Sequence, residues 1–156
     1  MDSKLALTYA YKTKQMQKML FALEDALDLY HSEIKKSDLS DHEALRRCNA
    51  FRSNVTQSLE FSTEGFWKYL KLILENVEKI PLSSTTPKFI TRTAVEYRLI
   101  DENEAISLIK MIDERNNTSH LYQEEVADEF AKYAPEALDF MQKVFKRLQE
   151  NAVDLS

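Results

Sequence analysis

Apolar residues recur at helical spacing along almost the whole chain. Tyr9, Met16, Leu23 and Tyr30 fall seven apart, and Leu20, Leu27 and Ile34 form a second sevenfold row beside them. Two such rows make the seam of a helical bundle, and they predict a first helix from about Lys4 to Lys35. In "KKSDLSDHE" Ser40 and Glu43 have the spacing of a capping box that would open a second helix. Its stripe of Leu45, Cys48, Phe51, Val55, Leu59, Phe66, Leu70, Leu74 and Val77 carries it to about Lys79. Gly65, the only glycine, falls inside this helix. A mid-helix glycine costs about 1 kcal/mol relative to alanine, so the position predicts a close crossing with another helix.

"IPLSSTTP" is the clearest loop. Thr86 as N-cap and Pro87 in the first helical position open a short helix over 87–99. Asp101 and Glu104 repeat the capping pattern ahead of a helix from 102 to about Arg115, and a last helix runs from about Tyr122 to Glu150. Pro135 is expected to kink or split that last helix. The pattern predicts an all-α protein, an antiparallel up-and-down helical bundle with a short helical insertion at 87–99, in one domain spanning 1–156. Leu23, Leu27, Phe51, Leu59, Leu70, Ile109, Leu138 and Met141 are the expected core.

Composition narrows the chemistry. One glycine and three prolines in 156 residues leave little punctuation for strands. Cys48 is alone, so the chain offers no disulfide framework and no thiolate metal site; neither a metal nor a cofactor is expected. The N-terminal stretch has no apolar core suited to export and nothing approaches a membrane span, so a soluble, cytoplasmic protein is expected. The net charge of −5 argues against a general nucleic-acid coat, because phosphate binding is driven by cations. Any RNA contact needs a local basic patch. Lys88 and Arg92, four apart, are one candidate, with Arg115 as a third member if the fold brings it near; by themselves the two read as a solvated helix face.

The weakest helical segment is "RNNTSHLY", residues 115–122. On an unbroken helix Arg115 and His120 would lie about 140° apart. Asn116, Asn117, Thr118 and Ser119 compete for backbone hydrogen bonds and favour caps and turns. A helix that stops near Asn116 and restarts near Ser119 would turn Arg115 and His120 into one cleft. The plain alternative is a cation near a helix C-terminus and a surface imidazole.

The same segment is an Arg-x4-His-x-Tyr motif, and it resembles the signature of the HEPN superfamily of helical nucleotide-binding domains. "QSLEFSTEGFWKYLK" (57–71) and "TPKFITRTAVEYRLID" (86–101) are similar to two further blocks of one branch, the nucleotidyltransferase substrate-binding family close to the HepT-like toxins. Ser58 and Leu59 depart from the Arg-Phe often found there, and Arg98 stands where glycine is common. The resemblance implies a single HEPN-like domain encoded near a minimal nucleotidyltransferase, often as a toxin–antitoxin pair. It implies a homodimer in which Arg115 and His120 cleave RNA without metal. It makes Tyr122 a candidate for modification by nucleotide, with Asn116, Glu60, Glu64, Lys88 and Arg92 as further binding candidates. A histidine that titrates near neutrality suits proton transfer from a 2′-hydroxyl, and an arginine suits the charge of the transition state. Two rivals share these residues: a non-enzymatic subunit that presents nucleotide or substrate to the transferase, and an interaction module whose motif only holds a dimer.

Overall fold

In the computed structural model the chain is described over residues 3–120 and 124–153, with side chains for all of these except 117–127 and the last two. Five helices follow in order: α1 (Ser3–Lys36), α2 (His42–Asn76), α3 (Pro87–Glu96), α4 (Glu102–His120) and α5 (Glu124–Val153), with no strand among the described residues. Cross-helix contacts fix the directions. Thr13, Met19 and Glu33 of α1 meet Tyr69, Ser62 and Arg47 of α2, so these two run antiparallel. Arg52, Phe66 and Tyr69 of α2 meet Asp128, Phe140 and Gln149 of α5, which therefore runs the same way as α2. Glu104 and Lys110 of α4 meet Arg147 and Tyr133 of α5 in reverse order. The result is the expected up-and-down bundle, with α3 inserted between α2 and α4.

The core follows the apolar rows. Leu23, Val55, Leu59, Phe66, Leu70, Leu74, Leu108, Phe130 and Met141 are fully enclosed. Ile34 is not; it is 39% exposed. A strict seven-residue row drifts about 20° per heptad on a straight helix, so the end of the row turns outward. Leu45 is exposed as well, and Phe51 and Ile109 are only half-buried. On α4 the apolar residues cover more than one face, and Ala105, Leu108, Met111 and Ile112 take the buried positions, leaving Ile106 outside. The tight crossing predicted from Gly65 is present. A Cβ there would stand 2.5 Å from Met19 Sδ.

Helix ends show which local signals hold. Thr86 accepts from Phe89 N at 3.4 Å ahead of Pro87. Asp101 and Glu104 form a complete capping box, with Glu104 N to Asp101 Oδ1 at 2.8 Å and Asp101 N to Glu104 Oε1 at 2.9 Å. The box expected at Ser40 and Glu43 does not form. Asp38 captures both the Ser40 amide and hydroxyl, and α2 starts one residue later, with Asp41 as N-cap. Pro135 does not split α5. The interruption expected at 116–119 is also absent, since α4 continues through His120. Each of those residues costs only a few tenths of a kcal/mol in helix propensity, too little to stop a helix already docked through Ala105, Leu108, Met111 and Ile112.

α3 ends in a Schellman turn, with Leu99 N to Ala94 O at 2.8 Å and Arg98 N to Val95 O at 3.0 Å. The turn puts Arg98 at φ 60°, the left-handed conformation that favours glycine. Arg98→Gly should therefore raise stability modestly, by about 0.5–1 kcal/mol, because the left-handed cost of about 1–2 kcal/mol exceeds the glycine's extra unfolded-state freedom. A lower chemical-denaturation midpoint for the variant would contradict this.

Glu33, 4% exposed, accepts from Arg47 Nε at 2.8 Å and Ser37 Oγ at 2.9 Å and pairs with Lys36 at 3.2 Å, closing the α1–α2 hairpin. The bonds from Arg47 and Ser37 outweigh its burial and, with Lys36, hold its carboxyl at about 2. Its folded-state pKa lies below the ordinary 4.5, so its contribution is present above about pH 4.5 and lost as pH falls through about 2. Thermal unfolding across that window should show a shallower acid loss for Glu33→Gln than for wild type.

Candidate functional site

The C-terminal half of α4 gathers the three sequence blocks. From α2, Glu64 Oε2 lies 3.3 Å from Arg115 Nη1. From α3, Lys88 Nζ lies 2.8 Å from Asp113 Oδ1, two residues before Arg115. Glu64 is also held by Lys68 Nζ, at 2.8 Å from its other oxygen. Burial pulls the Glu64 carboxyl toward its neutral form, but the Lys68 hydrogen bond, the Arg115 and Lys68 charges and the Trp67 indole together outweigh it and lower its pKa. A carboxylate between two cations fixes the Arg115 guanidinium on the α2 side of α4.

The remaining candidates are placed as follows. Glu60 is half-buried one turn before Glu64 on α2, and Asn116 is exposed next to Arg115. Arg92 is exposed one turn beyond Lys88 on α3. The Lys88 charge is offset by Asp113, so the basic face imagined for Lys88 and Arg92 is in part an ion pair between helices. His120 is the last helical residue of α4; its side chain and the whole of Tyr122 lie outside the described residues. Because α4 is unbroken from Arg115 to His120, the backbone sets these two positions about 140° apart and about 7.5 Å along the axis. The convergence expected from a broken helix is not supplied by this backbone. Among the described residues no group of three His, Cys, Asp or Glu side chains is arranged to hold a metal. No helix among them is long and apolar enough to cross a membrane.

Sequence reasoning passed over Lys68, whose i,i+4 spacing from Glu64 was the available signal. Trp67 is half-buried, and with Glu64 it lines a cavity between α1 and α2.

With this geometry in view, the chain belongs to the nucleotidyltransferase substrate binding protein-like family, whose model matches residues 11–150. A crystal structure of a protein from Thermus thermophilus is similar, with a TM-score of 0.66 and 27% identity, covering 85% of this chain and 98% of that one. No curated protein matches the chain.

Arg115 and Glu64 are each about one-third exposed, 35% and 32%. Water screens such a pair, and its coupling in a double-mutant cycle of Arg115→Ala and Glu64→Gln should be about 0.2–1 kcal/mol. A coupling of several kcal/mol in urea denaturation would mean that the pair is a structural element first.

Proposed function

We propose that this single-domain chain is the helical partner subunit of a minimal nucleotidyltransferase, with its functional residues on the Arg115–His120 end of α4. The observation that carries this reading is the Arg115–Glu64 ion pair. It joins two of the segments on which the family resemblance rests, and the Lys88–Asp113 pair brings the third alongside. Three separated blocks meeting at one helix end fit a shared functional surface better than three independent packing solutions.

The activity proposed for this end is metal-independent RNA cleavage by a homodimer. One histidine cannot readily serve as base and acid together; two copies meeting at this end supply two. His120 of one copy takes the 2′-hydroxyl proton, the 2′-oxygen attacks phosphorus, and the 5′-oxygen leaves with a proton from the second histidine. The products are a 2′,3′-cyclic phosphate and a free 5′-hydroxyl. Arg115 offers its planar fork to the charge that develops on phosphate. The competing reading, a subunit that binds nucleotide or substrate without cutting, is favoured by the Glu64 carboxylate already facing Arg115 and by the unbroken helix up to His120.

The two readings separate in one experiment. RNA incubated with the purified protein in EDTA, at pH 6 to 9, should yield 2′,3′-cyclic ends. His120→Ala should lower the rate by about 10²–10⁴-fold without loss of fold or dimer. Arg115→Lys should also fail, because a point charge cannot replace the bidentate fork. Binding of the transferase with no cleavage, and with Tyr122 shown unmodified by mass spectrometry, would assign the non-enzymatic role. No association with a transferase and no cleavage would overturn the proposal entirely.

A further inference from the structure

The groove where α1 crosses α2 holds a cavity of about 480 Å³, within the roughly 300–1,000 Å³ of small-molecule sites. Its apolar lining includes Met16 and Met19 of α1 and Phe61, Trp67 and Leu72 of α2. Methionine sulfurs and side-chain flexibility adapt to flat aromatic surfaces. Gly65 lies in the same lining. The Cβ it lacks would fall 2.5 Å from Met19 Sδ, so a side chain here would displace the end of Met19 within the lining. Phe61, at 57% exposure, leaves most of a large apolar ring in water at the cavity edge.

The rim carries one positive charge over. Lys12, Lys68 and Lys71 face Glu64 and Glu75. Lys68 is taken by Glu64, which also faces Arg115, and Lys71 lies 3.7 Å from Glu75. Lys12 has no carboxylate partner among the described residues; its Nζ sits 6.0 Å from the centre of the Tyr11 ring. The neighbouring polar groups are already engaged, Gln15 with the Tyr11 hydroxyl at 2.9 Å and the Tyr69 hydroxyl with Thr13 and Gln149. We infer that this cavity binds a planar apolar molecule carrying a single anionic group, its ring against Phe61 and the two methionines and its anion on Lys12. The cavity shares Glu64 and Lys68 with the surroundings of Arg115, but its ligand contacts, Phe61, the methionines and Lys12, include neither Arg115 nor His120, so the inference stands whether or not the chain cleaves RNA.

Two probes test both halves of the inference: 8-anilinonaphthalene-1-sulfonate, a planar monoanion, and N-phenyl-1-naphthylamine, the same rings without the sulfonate. The full chain should bind the sulfonate at one saturable site, followed by fluorescence. Lys12→Glu should weaken it about tenfold or more, the worth of a charge-assisted hydrogen bond, while the uncharged probe is little changed. Phe61→Ala, at an exposed position that leaves the core intact, should weaken both probes. Binding that does not saturate, or that survives Lys12→Glu and Phe61→Ala unchanged, would overturn the site. Equal loss of both probes in Lys12→Glu would overturn the anion assignment.

Discussion

Every other helix of this protein packs against α2. That constraint governs much of the rest. Among the described residues α1 rests on α2 and α5 and α3 on α2 and α4, so α2 is the element that holds the two sides together. A helix so surrounded must be apolar or small on more than one face. Val55, Leu59, Phe66, Leu70 and Leu74 supply the apolar bulk. Ser62 and Thr63 supply small size, and their fully buried hydroxyls are satisfied by carbonyls, Ser62 on Met19 O and Thr63 on Leu59 O. A buried hydroxyl returned to a carbonyl in this way avoids the desolvation cost of an unmade bond. Gly65 makes room for the end of the Met19 side chain of α1, and both residues line the cavity between the two helices.

Polar contacts fix positions that apolar packing alone leaves free to slide. Tyr69 is 3% exposed and its hydroxyl bonds Thr13 of α1 at 2.8 Å and Gln149 of α5 at 2.7 Å, so one side chain of α2 registers three helices. Arg147 of α5 binds both oxygens of Glu104, at 2.7 and 3.0 Å, and the Leu99 carbonyl at 3.0 Å. Glu104 is at the same time half of the capping box that starts α4. The beginning of α4 is thus tied to α5 and to the turn after α3. Its far end is tied differently, by ion pairs of Asp113 and Arg115 to α3 and α2. α4 is thus anchored by a bidentate, partly buried contact at its start and by more exposed ion pairs beside the candidate site.

What the sequence made legible divides along physical lines. Helix number, order, the short insertion and most of the core follow from periodicity, because burial of a continuous stripe is large compared with local preferences. Caps were readable at Asp101 with Glu104, where the pair was complete, and at Thr86, where Pro87 fixes the first helical position. Ser40 failed because Asp38, two residues earlier, offered a nearer acceptor. The Asn-Asn-Thr-Ser run failed as a helix stop because propensity is a weak term beside docking of the preceding turns. Arg98 shows the reverse. Local strain at φ 60° is tolerated because the turn's backbone bonds require that shape from whatever residue occupies it. Of the candidate site, Arg115 and Glu64 were each legible as candidates, whereas their meeting, the Lys88–Asp113 pair and the α1–α2 cavity depend on tertiary geometry that spacing does not encode.

The Arg115–Glu64 pair has a further consequence for the proposed function. Carboxylate and phosphate present similar oxygens to a guanidinium, and the Nη1–Oε2 contact at 3.3 Å shows that an anionic oxygen can sit beside Arg115. The hold is weak, because both partners are about one-third exposed and such pairs are worth only about 0–1 kcal/mol. Glu64 also keeps Lys68 as a second partner, so releasing Arg115 does not leave its carboxylate without a cation. On the reading proposed above, Glu64 would be a resting occupant of an anion site, near Arg115 and solvated enough to exchange with an incoming anion.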